Sequence, residues 1–344
     1  MASHLSRDQR PTVDLKGKVA FLRQPATYPE HPSQVEVIES HMSWVFLTNS
    51  HVYKLKKPVH HSFVDFSTLE ARAHYCEEAV RLNRRLAEDV YLGVVGLTMD
   101  RNGDLHLGGD GEPVEWLVKM RRLPRHLMLD NAIENGRVSS EDVRRFTRVL
   151  AAFYCRAERV AINPEQYRQC LQRDVQDNHR ELCDPDYKLP REQLERLTAV
   201  QLGLLRSAPD LFDARVKAGR IVEAHGDLRP EHVCLTPQPV FIDCLEFNRE
   251  FRILDTVHEL AYLALECEYA GADFIGEVAL DTYRRETTDE PPAKLVHFYQ
   301  MYRAALRARL SIWHIKDRDV REHAKWTHRA ERYLRLADKY CDML

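Results

Sequence analysis

The sequence predicts an α+β protein with two lobes, a small β-rich N-terminal lobe followed by a larger helical C-terminal lobe. The chain has 344 residues, which exceeds what a single hydrophobic core usually serves. Short segments with alternating apolar residues, typical of strands, are concentrated before residue 120, whereas helical periodicity dominates after it. We therefore predict an N-terminal lobe of residues 1–120 and a C-terminal lobe of residues 121–344.

The composition is that of a folded globular protein, with 44% hydrophobic and 30% charged residues. The net charge is −3. From Gln300 onward the chain has eleven Lys or Arg and six Asp or Glu, and we interpret these charges as solvated helix faces. Nucleic acid is therefore not expected as a partner. No segment reaches the length of a membrane span, and the eight cysteines include no CxxC pair. We expect a cytoplasmic protein with reduced thiols and a disordered start at residues 1–12, while the oligomeric state is not defined.

The N-terminal lobe is predicted to open with three strands in meander order, followed by one main helix and two more strands. The predicted strands are 35–38, 43–48, 51–57, 94–99 and 114–120. Ser67 and Glu70 form a capping-box pattern, which places the helix from there to about residue 87. The turn pair Asn102-Gly103 is expected to join the last two strands.

The C-terminal lobe is predicted to be mostly helical, with one catalytic hairpin. Helical patterns lie at 139–159, 164–181, 190–206, 255–269, 293–315 and from about 320. The exception is a pair of short apolar runs, 233–235 and 240–242, separated by Thr-Pro-Gln-Pro. That connection favours a tight turn, so the two runs are expected to pair as an antiparallel hairpin.

Two aspartates flank this hairpin and are the strongest chemical signal in the chain. Asp227 precedes the first strand and Asp243 follows the second, so both carboxylates can emerge at the same end. Paired carboxylates are costly unless a cation or a proton separates them. Mg²⁺ suits such a site because it takes hard oxygen ligands and shares them with substrate phosphates. One acid would then hold metal, and the other could orient and deprotonate an alcohol.

The motifs around these aspartates resemble those of the aminoglycoside phosphotransferase and choline kinase family. "HGDLRPEH" (225–232) resembles the family's HGDxxxxN loop, and "FIDCLEF" (241–247) resembles its following metal motif. The resemblance extends upstream to a bacterial group named after aminoglycoside phosphotransferases but without assigned substrates, through "SHMSWVFLTNSHVYKLKKP", "FVDFSTLEARAHYCEEAVRLNRRLA" and "VKMRRLP". It covers roughly residues 35–310, and it implies a protein-kinase-like fold that uses ATP and Mg²⁺, or Mn²⁺, to phosphorylate a small-molecule hydroxyl.

Carried over by the resemblance, Asp227 takes the position of the catalytic base and Asp243 that of the principal metal ligand. His225 would organise the loop, and Gly226 would allow its sharp turn. The alternative for Asp227 alone is a loop aspartate that caps its neighbours. The ordered set of motifs favours the catalytic interpretation.

Two loop residues leave alternatives open. His232 stands where the family has asparagine; it could ligate metal, with imidazole suiting Zn or Mn better than Mg, or only pack at the strand start. Arg229 could neutralise the transferring phosphoryl group as a catalytic residue, or pair with Glu231 or Asp227, and we favour the pairing. Glu246 could contact metal indirectly or remain a solvated turn carboxylate.

The nucleotide phosphates are expected to meet a lysine of the third strand. Lys56 fits the family spacing best, and Lys54, on the same strand face, is the second choice. Glu78 lies on the apolar face of the following helix and is the expected partner of the lysine, whereas Glu77 projects away. The alternatives are a solvated basic strand end and an exposed helix acid.

No glycine-rich phosphate loop precedes these strands, and GxxxxGK[ST] is also missing. The cover over the phosphates would be residues 39–43, with Ser40 or Ser43, although such hydroxyls are more often turn formers. The stretch 118–121, which contains Met120, resembles the hinge that would bind an adenine edge through its backbone.

Two other functional classes compete with a working phosphotransferase. A nucleotide-binding pseudokinase or regulatory module would keep the fold and use His232 and Arg229 to bind without transfer. A metal-dependent hydrolase built on His225, Asp227 and His232 lacks a recognisable ligand set. The acceptor is not identified by the sequence, although the acids at 259, 266 and 268 could meet a cation.

Overall fold

The computed structural model describes residues 13–61, 63–316 and 323–344, which form two compact units. The first unit runs to Pro124 and also includes Phe241–Asn248, and the second comprises Arg125–Val240 and Arg249–Leu344. The boundary therefore lies at Pro124 rather than at 120, and the segment containing Asp243 joins the N-terminal unit. The disorder expected at 1–12 lies outside the described residues.

The first unit is built on an antiparallel sheet in the order β1-β2-β3-β8-β6-β7. Its elements are α1 (Leu15–Leu22), β1 (Glu36–Glu39), β2 (Ser43–Leu47), β3 (His51–Lys56), β4 (His60–His61), β5 (Val64–Asp65), α2 (Leu69–Ala87), β6 (Tyr91–Met99), β7 (Leu105–Leu107) and β8 (Glu112–Arg121). The predicted three-strand meander is confirmed, because β1 pairs with β2 and β2 with β3.

Two local predictions in this unit are wrong, and one helix was missed. The turn around Gly103 joins β6 to the short strand β7, not to β8, because Thr98 pairs with His106. Helix α2 begins one residue later than expected, since the Thr68 hydroxyl accepts from the backbone N–H of Ala71 at 3.1 Å. Helix α1 was not predicted, and Asp14 caps it.

At strand β3, the sheet of the first unit has a core face and a polar face. Tyr53 and Leu55 are at most 1% exposed and pack with Leu22, Phe46 and other apolar side chains on one side of the sheet. Because successive side chains of a strand alternate, the lysines between and after these residues point to the opposite face. The burial of β3 therefore sets the direction of both lysines.

A buried ionic cluster ties α1 and α2 to β8. Glu115 is 1% exposed and accepts from Arg72 at 2.7 and 2.9 Å and from Lys18 at 2.9 Å. Both carboxylate oxygens are therefore hydrogen-bonded. Removing one partner of such a buried pair usually costs about 3–5 kcal/mol, because the remaining charge is left uncompensated.

The second unit is mainly helical. Its elements are α3 (Leu129–Glu134), α4 (Ser140–Arg156), α5 (Pro164–Leu182), α6 (Arg191–Ser207), α7 (Asp210–Lys217), β9 (Ile221–Glu223), β10 (Val233–Cys234), β11 (Val240–Phe241), β12 (Ile253–Asp255), α8 (Thr256–Tyr269), α9 (Phe274–Thr287), α10 (Ala293–Trp313) and α11 (His323–Cys341). The predicted β10–β11 hairpin and the predicted helices are present, with the start expected near 320 lying outside the described residues.

The sequence analysis missed α3, α7, α9 and the antiparallel pair β9–β12. Each strand of that pair has three residues, and Val222 pairs with Leu254 across a long connection, so no local pattern indicates it. The pair nevertheless places the loop after β9 beside the start of α8. Asp255 caps α8 by accepting from the N–H of Val257 at 3.0 Å.

Helix α8 is buried on almost all sides, and its polar side chains are therefore committed to contacts within the protein. His258 is 2% exposed, Glu259 0% and Glu266 6%. Buried polar groups of this kind require hydrogen-bond partners. No described helix is both long and apolar enough to cross a membrane. The eight cysteines, all among the described residues, form no disulfide bond, and five of them are buried.

Candidate active site

The loop after β9 turns sharply at Gly226, whose φ of +90° strongly favours glycine. Glu259 of α8 holds this turn, because its carboxylate accepts from the N–H groups of Gly226 at 2.7 Å and His225 at 3.2 Å. The Tyr154 hydroxyl donates to the same carboxylate at 2.8 Å. Burial raises the pKa of Glu259, although these hydrogen bonds oppose the rise. The sequence analysis considered Glu259 only as a possible contact for a cation.

Asp227 presents a carboxylate with a fixed donor on each oxygen. Its Oδ1 accepts from the Tyr262 hydroxyl at 3.1 Å, and its Oδ2 lies 3.0 Å from the Arg229 guanidinium. Burial opposes ionisation, but Arg229, and after it His232, outweigh that effect and hold the pKa of Asp227 well below its usual range. The side chain remains 30% exposed. The result is an ionised, oriented and accessible hydrogen-bond acceptor.

Arg229 forms both pairs that the sequence analysis favoured. Its guanidinium lies 3.0 Å from Asp227 and 2.6 Å from Glu231, and the side chain is 19% exposed. Burial acts against its charge, yet these acids raise the pKa of Arg229 above its usual value. The guanidinium thus joins Asp227 to Glu231 within the loop. Its direct action on a phosphoryl group stays a prediction.

His232 uses both ring nitrogens within the loop. Its Nδ1 is 2.7 Å from the backbone oxygen of Asp227, which can only accept, so Nδ1 carries the proton. The other nitrogen, Nε2, lies 3.4 Å from Arg229. A neutral imidazole ligates metal through its unprotonated nitrogen. Metal ligation by His232 stays a prediction, and it requires Nε2 to exchange Arg229 for the metal.

In the first unit, strand β3 supplies cations to both acids of the 241–248 segment. Lys54 pairs with Asp243 and Lys56 pairs with Glu246. The Lys56 side chain is 3% exposed and that of Asp243 is 43% exposed. Burial opposes the charge of Lys54, but Asp243 and Glu246 raise its pKa. The two lysines that share a strand face therefore hold the two acidic positions of the motif.

The 241–248 segment is fixed by two elements of the same unit. The backbone N–H of Asp243 donates to the Tyr91 hydroxyl at 2.9 Å, and that of Cys244 donates to Asn83 of α2 at 2.8 Å. Asp243 has a φ of +62°, a conformation in which aspartate is tolerated better than most residues. These contacts direct the Asp243 carboxylate toward Lys54.

Glu78 of α2 is held by Arg81 on the same helix, at 2.7 and 2.8 Å. The two lysines of β3 pair with other acids, Lys54 with Asp243 and Lys56 with Glu246. The expected pairing of Glu78 with a lysine of β3 and its nucleotide-binding role both stay predictions.

Ser40 and Ser43 close the turn between β1 and β2. The Ser40 hydroxyl accepts from the N–H of Ser43, and the N–H of Ser40 donates to the carbonyl of Ser43 at 2.9 Å. Met120 lies inside β8, opposite Val52 of β3 and Tyr91 of β6. The phosphate-covering role of the serines and the adenine-binding role of Met120 stay predictions.

A hard divalent cation fits the residues of the first unit. The described residues contain no cluster of three or more His, Cys, Asp or Glu that could by itself hold a metal ion. Mg²⁺ does not need one, because it commonly takes one or two carboxylates and completes its coordination with phosphates and water. Asp243, with its exposed oxygen donors, would hold it, and Glu246 lies on the same segment.

Solved structures of similar fold are aminoglycoside phosphotransferases and choline or ethanolamine kinases. A GDP complex of an aminoglycoside 2'-phosphotransferase-IIIa mutant has a TM-score of 0.57 at 14% identity and covers 94% of this chain and 97% of that chain. A choline/ethanolamine kinase family protein from Mesorhizobium loti has a TM-score of 0.51 at 14% identity, covering 94% and 99%. A choline kinase from Cryptosporidium parvum has a TM-score of 0.51 at 12% identity, covering 95% and 96%. The chain therefore has the protein-kinase-like α+β fold of these phosphotransferases, as predicted.

The relatives by sequence are uncharacterised mycobacterial proteins. The chain is 33% identical over 279 residues to one from Mycobacterium tuberculosis and one from Mycobacterium bovis. Each match covers 80% of this chain and 54% of the relative, so the chain spans about half the length of the curated relatives that it matches. No protein-family model matches the chain.

Proposed function

We propose that the chain is a kinase that transfers the γ-phosphoryl group of ATP to a hydroxyl group of a small molecule. The observation that carries this proposal is the state of Asp227, an ionised and partly exposed carboxylate whose two oxygens are oriented by Tyr262 and Arg229. Such a group can accept a hydrogen bond from an alcohol and take its proton as the bond to phosphorus forms. The nucleotide complexes among proteins of this fold support nucleotide binding.

In this proposal Asp227 orients the acceptor hydroxyl, Lys54 binds the nucleotide phosphates, and Lys56 holds the acidic segment through Glu246. Asp243 would hold Mg²⁺, or Mn²⁺, which when bound neutralises phosphate charge and aligns the γ-phosphoryl group. A depressed pKa makes Asp227 a weak base, so its main contribution is positioning of the hydroxyl, with the proton transferred late. With Asp243 holding the metal, Lys54 would serve as a counter-charge to the phosphates.

The alternative is a pseudokinase that binds nucleotide with attenuated transfer. One observation favours it: His232 has its unprotonated nitrogen against Arg229 and not directed to an open ligand position. The family asparagine would offer a carbonyl oxygen, which is a harder ligand than imidazole. Under this alternative, the fold retains its nucleotide while one metal contact is lost.

The proposal is tested by incubating purified protein with ATP or GTP, Mg²⁺ or Mn²⁺, and a panel of alcohols, with product detected by mass spectrometry. Acceptor-dependent formation of a phosphate ester that is lost in Asp227→Ala supports the kinase. Nucleotide binding without any phosphate ester supports the pseudokinase. Restored transfer in His232→Asn would then identify the imidazole as the attenuating group, and unchanged inactivity would exclude that cause.

A further inference from the structure

Arg303 of α10 differs from the other deeply buried arginines of the described chain. Five arginines are at most 8% exposed: Arg72, Arg215, Arg252, Arg303 and Arg307. Four of them have a carboxylate partner, at 2.7 Å for Arg72, 2.6 Å for Arg215, 2.7 Å for Arg252 and 2.9 Å for Arg307. Arg303 is 6% exposed and forms no ion pair with a described residue. A buried guanidinium without an anion is energetically costly.

The immediate neighbours of Arg303 leave its charge uncompensated. Its Nε donates to Nε2 of His258 at 2.8 Å. Burial lowers the pKa of His258, and the adjacent guanidinium lowers it further, so the imidazole is neutral. The two terminal nitrogens of Arg303 have no hydrogen-bond partner among the described residues. Their four N–H groups form the planar fork that matches a carboxylate or a phosphate.

A single side chain, that of Tyr262, contacts both Arg303 and the proposed base Asp227. Its guanidinium carbon lies 4.4 Å from the centre of the Tyr262 ring, and the hydroxyl of the same tyrosine donates to Asp227. Tyr262 thus links a hydroxyl-orienting carboxylate to an unpaired cation. The guanidinium and the carboxylate therefore lie on either side of one aromatic side chain, so a small molecule with a hydroxyl and an acidic group is the kind of ligand that could contact both.

The acids that the sequence analysis considered for a cationic acceptor are already committed. Glu259 binds the backbone of the loop at Gly226 and His225. Glu266 pairs with Arg307 at 2.9 Å, and Glu268 pairs with Lys339 at 2.6 Å. The uncompensated charge near Asp227 is therefore positive rather than negative.

The charge of Arg303 affects the pKa values of Asp174 and Glu259, but neither carboxylate pairs with it. Asp174 of α5 accepts from the Tyr302 hydroxyl at 3.0 Å, and the Arg303 charge counteracts the effect of burial on its pKa. The Arg303 charge likewise counteracts the effect of burial on the pKa of Glu259. Neither carboxylate forms an ion pair with the guanidinium. The terminal nitrogens of Arg303 thus have no protein anion to bind.

We infer that the acceptor is an anionic alcohol, whose carboxylate or phosphate is bound by Arg303 while its hydroxyl is presented to Asp227. This inference rests on the proposed kinase function. The hydroxyl oxygen forms a bond to the γ-phosphorus, the bond from that phosphorus to the β-γ bridging oxygen breaks, and ADP leaves with the electron pair. The hydroxyl proton passes to Asp227 and then to solvent.

The first test compares acceptors that share a carbon skeleton but differ in charge. One series is glycerol, glycerate, glycerol 3-phosphate and 3-amino-1,2-propanediol; the other is glucose, gluconate, glucose 6-phosphate and glucosamine. Phosphorylation of the acidic members with the highest kcat/KM is the expected result. A higher kcat/KM for the amines or for the neutral compounds would overturn the inference.

The second test replaces the guanidinium. Arg303→Gln should lower kcat/KM for acidic acceptors about 100-fold, because one charge-assisted bidentate contact is lost. Arg303→Lys should recover part of that loss, since it retains charge without the planar fork. Arg309→Gln is the matched control, as Arg309 is on the same helix and donates to Asn178 at 3.2 Å. Circular dichroism and thermal unfolding confirm that each variant is folded.

A binding measurement separates this inference from the proposed function. Thermal shift and calorimetry with the eight compounds need no turnover. Binding of acidic compounds to wild-type protein but not to folded Arg303→Gln, without any phosphorylation, would refute the kinase and retain the anion site. If no acidic compound binds or is phosphorylated, or if acidic preference persists equally in Arg303→Gln, the anion site is refuted whatever the protein's activity.

Discussion

The two aspartates of the proposed site are held in different ways. Asp227 is held mainly by its own loop, with Arg229 two residues and His232 five residues away, and in addition by Tyr262 of α8, thirty-five residues away. Asp243 is paired with Lys54, which is 189 residues away. The first carboxylate is 30% exposed and the second 43% exposed. The chain thus builds the base position locally and the metal position through its tertiary structure.

The two carboxylates also differ in whether their partners can be exchanged. Asp227 has a guanidinium, a hydroxyl and a nearby imidazole around it, so its carboxylate keeps one orientation. Asp243 pairs with Lys54 and is more exposed, and a divalent cation can take the place of an ammonium group at a carboxylate. We therefore expect that replacement of each aspartate impairs a different property of the protein.

The largest expected effect is the loss of transfer in the two aspartate variants. Asp227→Asn should lower kcat about 10³-fold, as expected for removal of a general base, while Mn²⁺-nucleotide affinity is retained. Asp243→Asn should abolish Mn²⁺ binding as well as transfer. Single-turnover kinetics and calorimetry with Mn²⁺ and nucleotide measure both quantities. Equal loss of Mn²⁺ affinity in the two variants would contradict the division of roles.

The next effect distinguishes the two lysines. Lys54→Met should lower kcat/KM for nucleotide about 100-fold with little change in stability, because a cation beside the phosphates is lost. Lys56→Met should instead destabilise the fold by about 3 kcal/mol, since Glu246, with a side chain only 10% exposed, loses its buried partner. Urea unfolding and steady-state kinetics measure the two effects. Full stability of Lys56→Met with lost nucleotide binding would restore the sequence-based choice of Lys56.

A smaller effect is expected when the cation beside Asp227 is removed. In the wild type, the depressed pKa keeps Asp227 ionised down to pH values below its usual range. Its contribution to stability is present above the unfolded-state pKa of about 3.9 and is lost as the pH falls toward the lower folded-state pKa. Arg229→Met should raise the folded-state pKa, so the acidic limb of the kcat/KM profile moves to higher pH. An unshifted limb between pH 4 and 7 would show that Arg229 does not control this carboxylate.

The smallest effect is expected for Tyr262→Phe, which removes one hydrogen bond to Asp227 and leaves the ring against Arg303. Loss of about 1 kcal/mol corresponds to about a fivefold lower kcat. Stopped-flow measurement of the transfer step isolates this change from product release. A loss as large as that of Asp227→Asn would indicate that the hydroxyl takes part in the chemistry itself.

The features that the sequence predicted well are those with local signals. The β1–β3 meander follows from alternating residues, and the loop of Asp227 follows from a motif of eight consecutive residues. The failures depend on long-range pairing. Strands β9 and β12 are too short to show a pattern, and no local pattern indicates that Lys56 pairs with Glu246, which is 190 residues away. In the sequence, Arg303 cannot be distinguished from other helix arginines. It stands out only when the burial and the partners of the five buried arginines are compared in the structure.

The discontinuous first unit has a consequence for how the protein folds during synthesis. Residues up to 124 leave the ribosome well before residues 241–248, at typical rates of about 5–20 residues per second. In that interval Lys56 lies on a strand without Glu246, and Asn83 lacks the backbone N–H of Cys244. The first unit is therefore completed only after most of the second has been translated. An excised fragment of residues 13–124 would lack Asp243 and Glu246 and would leave the two lysines of β3 without their acids.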